Sequence, residues 1–180
     1  MAAIIVIISL ITYFSSQSVN PVTKDVQHIS MSADQEIAMG LQAAPEMADQ
    51  FGGLDASQAD QRLVQQMGMS IVQGSPAGTT PYQFAYHLLA DPQTVNAFAL
   101  PGGQIFITRA LFDRLETTDQ LAGVLGHETG HVVARHSAEQ IAKAQLTQGL
   151  SGAAGIPACA PHSPHGGMAA APVAAGGGQV

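Results

Sequence analysis

Two histidines and a glutamate lie within five residues of this chain, in the stretch GHETGH at residues 126–131. Apolar side chains around this stretch recur at spacings of three and four, which predicts a helix. Each helical residue turns by about 100°, so His127 and His131 at i and i+4 project from one face. Two imidazoles so placed can bind one Zn²⁺ ion, and Glu128 can then take a proton from water. The spacing is the H-E-x-x-H pattern of a zinc site, with His127 and His131 as metal ligands and Glu128 as the catalytic base.

The residues after His131 distinguish between classes of zinc protease. A metzincin requires glycine at position 134 and histidine at position 137, where this chain has Ala134 and Ser137. That class is therefore excluded. His136 would be rotated by about 140° from His131 on a continuing helix. We therefore expect His136 to point away from the metal and to have a structural role.

Two helices are predicted before any strand. The first begins at a capping box formed by Ser32 and Gln35 and ends at Gly52-Gly53. The second is expected from about Ala56 to Val72. Its inner face should carry Leu63, Met67 and Ile71.

The hydrophobic period then changes to two. The stretch YQFAYHLLAD at 82–91 predicts a strand in which His87 is at the surface or half-buried and not a metal ligand. Two further runs predict a hairpin of Ala97–Leu100 and Gln104–Thr108, joined by a turn at Pro101-Gly102-Gly103. Helical spacing returns after the hairpin, and Thr117 with Gln120 forms the capping box of the helix that carries GHETGH. These elements predict an α+β domain with a small antiparallel sheet.

The first 22 residues form a separate predicted unit. Ala2 to Phe14 is apolar except for Ser9 and Thr12, and as a helix it would be only about 20 Å long, against about 30 Å of bilayer core. It also lacks the basic start and the clear cleavage site of a signal peptide. We predict a hydrophobic helix that acts as a membrane anchor or signal-anchor, followed by a polar linker. A buried strand or helix is the alternative.

Charge and cysteine content exclude other classes. The formal net charge is −7 and Lys and Arg number only six, so nucleic acid is not an expected partner. Cys159 is the single cysteine, which excludes an intrachain disulfide. The segment 151–180 is a low-complexity tail rich in Ala, Gly and Pro. It places Cys159, His162 and His165 in a C-x2-H-x2-H spacing, so His162 or His165 is an alternative source of a third zinc ligand.

The stretch NAFALPGGQIFITRALFDRLETTDQLAGVLGHETGHVVARHSAEQ at 96–140 resembles the core of the M48 family of zinc metallopeptidases. The resemblance implies a compact gluzincin-like domain over about 23–150 with one Zn²⁺ per chain. It also implies an endopeptidase of unfolded or misassembled membrane and envelope proteins, anchored in the bacterial envelope on the periplasmic side. In the family, substrate backbone adds to the strand before the active-site helix. That strand corresponds here to Asn96, Ala97, Phe98 and Ala99, followed by Leu100.

The chain departs from the family at the third zinc ligand, a glutamate on a later helix. No Asp or Glu follows Glu139, and Glu139 would be about 12 Å from His131 on a continuing helix. We therefore expect the chain to stop before the ligand helix. The alternative function is a catalytically incomplete, membrane-tethered module that binds polypeptide on the same strand. Retention of Glu128 favours the enzyme, because a module that only binds needs no base.

Overall fold

The computed structural model describes residues 2–154, so the predicted ligands Cys159, His162 and His165 lie outside the described residues. Helices and strands are mixed, as the α+β prediction requires. The helices are α1 (Ala2–Ser15), α2 (Ala33–Gln50), α3 (Gln58–Gln73), α4 (Arg109–Phe112), α5 (Thr118–Val133) and α6 (His136–Ala154). The strands are β1 (Gln17–Val19), β2 (Val26–His28), β3 (Ala85–Leu89), β4 (Ala97–Ala99) and β5 (Gln104–Thr108).

The main sheet has the strand order β3-β5-β4 and is mixed. The predicted hairpin is confirmed, because β4 pairs antiparallel with β5, with Phe98 opposite Phe106. The prediction of a purely antiparallel sheet is wrong, because β3 pairs with β5 in parallel, from Ala85 opposite Gln104 to Leu89 opposite Thr108. The chain passes from β3 to β4 before it returns along β5, which gives β3 and β5 the same direction. The central strand β5 is buried along its whole length.

Gly102 allows the turn of the hairpin to pack directly on α2. Its φ is +80°, a conformation that residues with a Cβ rarely adopt. A Cβ atom at this position would also lie 2.3 Å from the Cα atom of Ile37. Glycine is therefore required here both by the turn and by the close approach of α2.

The inner face of α3 is predicted in part: Met67 and Ile71 pack against the core, but the most buried line of residues lies one position further along the chain. Val64, Gly68 and Val72 are its buried residues, whereas Leu63 of the predicted face is 37% exposed. The reason is a close contact at Gly68, where an added Cβ would lie 2.3 Å from the ring of Tyr86. The absence of a side chain lets the helix approach the sheet along this line.

The N-terminal segment folds as a helix, and α1 packs against α6. Large apolar side chains on α1 are more than half exposed, so the alternative of a buried segment is not what the structure shows. These side chains are Ile4, Ile7, Ile8, Ile11 and Phe14. Among the described residues, no helix has both the length and the hydropathy to cross a bilayer.

A buried ion pair holds the turn between α5 and α6. Arg135 adopts a φ of +57° and donates hydrogen bonds to the Glu36 carboxylate and, at 2.9 Å, to the carbonyl oxygen of Met31. Glu36 is 1% exposed, and its second oxygen accepts a hydrogen bond from the Tyr82 hydroxyl at 3.2 Å. Burial, reinforced by the charge of Glu36, raises the pKa of Tyr82 to about 12. The start of α2 is thus tied to the turn between α5 and α6.

Two buried amide side chains complete this junction. Asn20 donates from Nδ2 to the carbonyl oxygen of Val133 at 2.9 Å, and Gln27 donates from Nε2 to that of Ala134. Both amides are almost fully buried, and Asn20 also donates to Gln27 Oε1 at 3.2 Å. The last carbonyls of a helix have no partner within the helix, so these amides satisfy groups that would otherwise be left unpaired.

We predict that Glu36→Ala destabilises the fold strongly. It leaves Arg135 without its carboxylate, and loss of one member of a buried ion pair costs about 3–5 kcal/mol. Urea unfolding followed by circular dichroism measures this loss. The matched control is Glu139→Ala, which removes the partly exposed i,i+4 pair with Lys143 and should cost at most about 0.5 kcal/mol. Equal losses in the two variants would contradict the central role of the buried pair.

Candidate metal centre

The helix that carries the histidine motif begins where the sequence predicts. Thr117 Oγ1 accepts a hydrogen bond from the Gln120 backbone N–H at 3.2 Å, and Gln120 Oε1 accepts one from the Thr117 N–H at 3.2 Å. This reciprocal pair is the predicted capping box and is confirmed.

On the side of α5 that faces the sheet, a buried hydrogen bond fixes the helix to β3. The hydroxyl of Tyr86 on β3 lies 2.8 Å from Thr129 Oγ1, and Thr129 in turn donates to the carbonyl oxygen of Leu125 at 2.7 Å. Thr129 is buried, whereas the neighbouring His127 is exposed. The bond therefore turns one face of α5 to the sheet and the histidine face outwards.

His127 and His131 converge on one point, as predicted. Their Nε2 atoms are 3.0 Å apart, and the ring planes are perpendicular. Two nitrogens at about 2.0–2.1 Å from a tetrahedral zinc lie roughly 3.3 Å from each other, so the pair fits zinc with a small adjustment. One ligand atom from each of His127, Glu128 and His131 lies within 4.8 Å of the others. The donor set suits zinc, and the role of each residue as a ligand or base stays a prediction.

Glu128 is half-buried beside the histidine pair. Burial disfavours the charged carboxylate and raises the pKa of Glu128 to about 7. A carboxyl group with a pKa near neutrality can both accept and release a proton at physiological pH.

His136 is not among the converging ligand atoms, as predicted, but it contacts His131 because α5 does not continue as the sequence analysis assumed. The helix ends at Val133, and the left-handed backbone of Arg135 turns the chain before α6 begins at His136. His136 Nδ1 consequently lies 2.6 Å from His131 Nδ1. Burial, followed by the neighbouring rings of His127 and His136, lowers the pKa of His131.

Glu139 also differs from the expectation of a continuing helix. It lies in the first turn of α6 and pairs with Lys143 Nζ at 3.1 Å. Within residues 2–154, the converging group of metal-type ligands consists of His127, Glu128 and His131.

The predicted substrate strand is present as an edge strand but is shorter than expected. It spans Ala97–Ala99, and its one partner among the described strands is β5. The backbone of Asn96 is already bonded to β5, because its carbonyl oxygen accepts from the Thr108 N–H at 3.0 Å and its N–H donates to Thr108 Oγ1 at 3.1 Å. Since the direction of hydrogen bonding alternates along an antiparallel strand, Phe98 also faces β5, and Ala97 and Ala99 face outwards. Helix α5 packs against this strand.

The opposite edge of the sheet is closed by side chains of α3. Gln65 Oε1 accepts from the Tyr86 N–H at 2.9 Å, and Gln61 Oε1 accepts from the Leu88 N–H at 3.0 Å. Gln61 also donates from Nε2 to the Leu88 carbonyl oxygen at 2.7 Å. Among the described residues, the outward backbone groups of β4 carry no such side-chain bonds. The sheet therefore offers its open edge on the side of β4.

Residues 57–169 match the family model of peptidase family M48. The chain belongs to peptidase family M48. The match extends from the start of α3 through the hairpin and the H-E-x-x-H helix, so it contains both features of the site.

Named proteins similar to this M48 chain are longer. The mitochondrial metalloendopeptidase OMA1 of Schizosaccharomyces pombe is 34% identical over 132 residues, which are 72% of this chain and 38% of that protein. The beta-barrel assembly-enhancing protease of Escherichia coli is 36% identical over 111 residues, 61% of this chain and 22% of that protein. The OMA1 of Arabidopsis thaliana is 45% identical over 56 residues, 31% of this chain and 12% of that protein. The chain thus spans at most about two fifths of the length of these relatives.

We predict that this M48 chain binds one Zn²⁺ ion and that His127→Ala and His131→Ala each weaken binding. Loss of an outer partner of a metal ligand already costs about 10–100-fold in affinity, so loss of a ligand should cost more. Competition with a fluorescent chelator gives the affinity, and metal analysis gives the stoichiometry. The control is His87→Ala, whose ring is instead bonded to Gln104 at 3.0 Å. Unchanged zinc affinity in both site variants would exclude this site.

Proposed function

We propose that this protein is a zinc-dependent endopeptidase that hydrolyses internal peptide bonds of extended polypeptides. The observation that carries the proposal is the convergence of the His127 and His131 Nε2 atoms at 3.0 Å beside a half-buried glutamate. Membership of the M48 family and the names of the similar metalloendopeptidases support it.

The residues of the site divide the chemistry between them. His127 and His131 would hold the zinc ion, which supplies Lewis acidity to polarise the scissile carbonyl and to make water more acidic. Glu128 accepts a proton as the water oxygen bonds to the carbonyl carbon, and it returns a proton to the amine as the C–N bond breaks. Glu128 is half-buried beside the histidine pair, which places its carboxylate where it can make both transfers.

The open edge of β4 is the proposed docking site for substrate. An extended polypeptide would add as a further strand and exchange backbone hydrogen bonds with Ala97 and Ala99. Phe98 holds the edge in place because its ring contacts Phe51 at 5.3 Å and Phe106 at 5.1 Å between centroids. Since α5 packs on β4, a polypeptide on this edge runs beside the helix that carries Glu128.

The proposed substrates are unfolded or misassembled envelope and membrane proteins, and the proposed location is the bacterial envelope, on the periplasmic side. The name of the beta-barrel assembly-enhancing protease supports this class of substrate. We propose that α1 attaches the protein to the membrane. The exposed apolar side chains of α1 support this attachment, because water contact with such a surface is unfavourable.

We predict that, in a protein whose zinc site has its third ligand, Glu128→Gln lowers the rate of casein cleavage at least ~10²-fold, because it removes the base and keeps the shape of the side chain. Zinc affinity should remain near that of the wild type. The control is Glu116→Gln, a change at an exposed residue just before α5, which should leave the rate unchanged. If a protein with the complete site binds casein and zinc but cleaves no better than its Glu128→Gln variant, the protein is the polypeptide-binding module instead.

We predict that Ala99→Pro raises KM for casein by about tenfold, which corresponds to the ~1–1.5 kcal/mol of a lost hydrogen bond. Proline removes the outward N–H, and an edge strand tolerates it there. Cleavage of a peptide too short to pair along β4 should change little. Ala99→Gly keeps the N–H and is the matched control. A KM for casein equal to that of Ala99→Gly would show that substrate does not bind this edge.

We predict that the double change of Ile7→Ser and Ile11→Ser reduces binding to vesicles of phosphatidylethanolamine and phosphatidylglycerol at least ~10-fold, because two large apolar side chains no longer enter the lipid. Flotation on a density gradient measures the bound fraction. The control is the double change of Leu54→Ser and Val95→Ser, two exposed apolar residues outside α1. Equal binding by both double variants would argue against attachment through α1.

A further inference from the structure

The rings of three histidines form a continuous chain at the end of α5. His127 Nε2 is 3.0 Å from His131 Nε2, and His131 Nδ1 is 2.6 Å from His136 Nδ1. The centroids of neighbouring rings are 4.6 Å and 4.8 Å apart. Both nitrogens of the central ring therefore have a partner, one on the side of the metal site and one on the opposite side.

We infer that His136 is a positioning residue, which fixes the orientation and tautomer of His131 by accepting a hydrogen bond from its Nδ1–H. The inference rests on the proposed zinc site, in which His131 binds through Nε2. A neutral imidazole that offers the lone pair of Nε2 carries its proton on Nδ1. That N–H needs an acceptor, and the nearby Nδ1 atom of His136 is one. His136 then carries its own proton on Nε2.

The broken helix is what brings His136 to this position. Had α5 continued, His136 would lie about 140° around the helix from His131 and could not reach its Nδ1 atom. Arg135 takes up a φ of +57°, which is costly for a residue with a side chain, and the buried Glu36 carboxylate holds it there. Asn20 and Gln27 donate hydrogen bonds to the carbonyl oxygens of Val133 and Ala134, just before the break.

Direct ligation of the same zinc ion by His136 is not what the geometry favours. The Nδ1 atom of His136 approaches the Nδ1 atom of His131 and not the Nε2 pair. Among the described residues, the group of converging ligand atoms likewise does not include His136. An outer partner of this kind typically sets ring orientation and raises the basicity of the ligand nitrogen.

Nuclear magnetic resonance of the wild-type protein tests the hydrogen bond directly. With ¹⁵N-labelled histidine at about pH 8, where histidines of ordinary pKa are neutral, we expect a scalar coupling between the Nδ1 atoms of His131 and His136 across the hydrogen bond. In the zinc-loaded protein, His131 should be protonated at Nδ1 only. Absence of the coupling, or a His131 protonated at Nε2 in the zinc-loaded protein, would overturn the inference.

Variants of His136 test the effect on the metal site. Asparagine can place its Oδ1 atom near the position of Nδ1, so His136→Asn should bind zinc within about threefold of the wild type, whereas His136→Phe should bind about 10–100-fold more weakly. His87→Phe is the control for loss of a histidine elsewhere. The metal-free His136→Asn and His136→Phe proteins should have similar melting temperatures in thermal unfolding. Equal zinc affinity in these two variants would overturn the positioning role.

The inference and the proposed function can fail separately. If the protein binds zinc but cleaves no casein, the proposed function fails. The scalar coupling and the zinc affinities of the His136 variants still test the positioning role of His136. A wild-type protein that binds no zinc refutes the proposed function, and the coupling in the metal-free protein still decides whether His136 holds His131.

Discussion

The buried ion pair between Glu36 and Arg135 is the interaction on which the geometry of the site depends. Removal of two charges from water is costly, and such a pair is weak evidence for stability by itself. Its role here is one of position, because it holds Arg135 in the left-handed conformation that ends α5 and begins α6. The pair spans 99 residues of sequence and connects the first turn of α2 to the end of the histidine helix.

Helix α5 is fixed at both ends and on the face that packs against the sheet. Its histidine face is left accessible. The capping box of Thr117 fixes the start, and the hydrogen bond of Thr129 to Tyr86 fixes the underside. The amides of Asn20 and Gln27 bond the last carbonyls. A side chain can bind metal with defined geometry only if the backbone that carries it is itself fixed. Asn20 and Gln27 therefore contribute to the site although neither belongs to the group of converging ligands.

The two edges of the sheet differ in how far they are covered, and the proposed function relies on this difference. An unpaired edge invites pairing with other chains, and proteins commonly cover such edges. The edge at β3 is covered by the side chains of Gln61 and Gln65. The edge at β4 keeps its outward backbone groups available and lies beside α5. The open edge is thus next to the chemistry that the proposed function requires.

The sequence by itself determined the features that depend on neighbours a few residues apart. The capping boxes, the β4–β5 hairpin and the convergence of His127 with His131 follow from local geometry, and the structure confirms them. The family was also recognisable from the motif and its surroundings.

Only the tertiary structure decided the rest, because the partners are distant in sequence. The parallel direction of β3 is set by the path of the chain around β5. Side chains alternate between the two faces of a strand in the same way whether its neighbour runs parallel or antiparallel, so the hydrophobic pattern could not predict this direction. The inner face of α3 was decided by the fit of Tyr86 against Gly68. An acidic residue in the first turn of a helix is ordinary, so nothing local marked Glu36 as the partner of Arg135. His136 faces His131 because the helix breaks between them, at Arg135, whose partner Glu36 lies 99 residues earlier in the sequence.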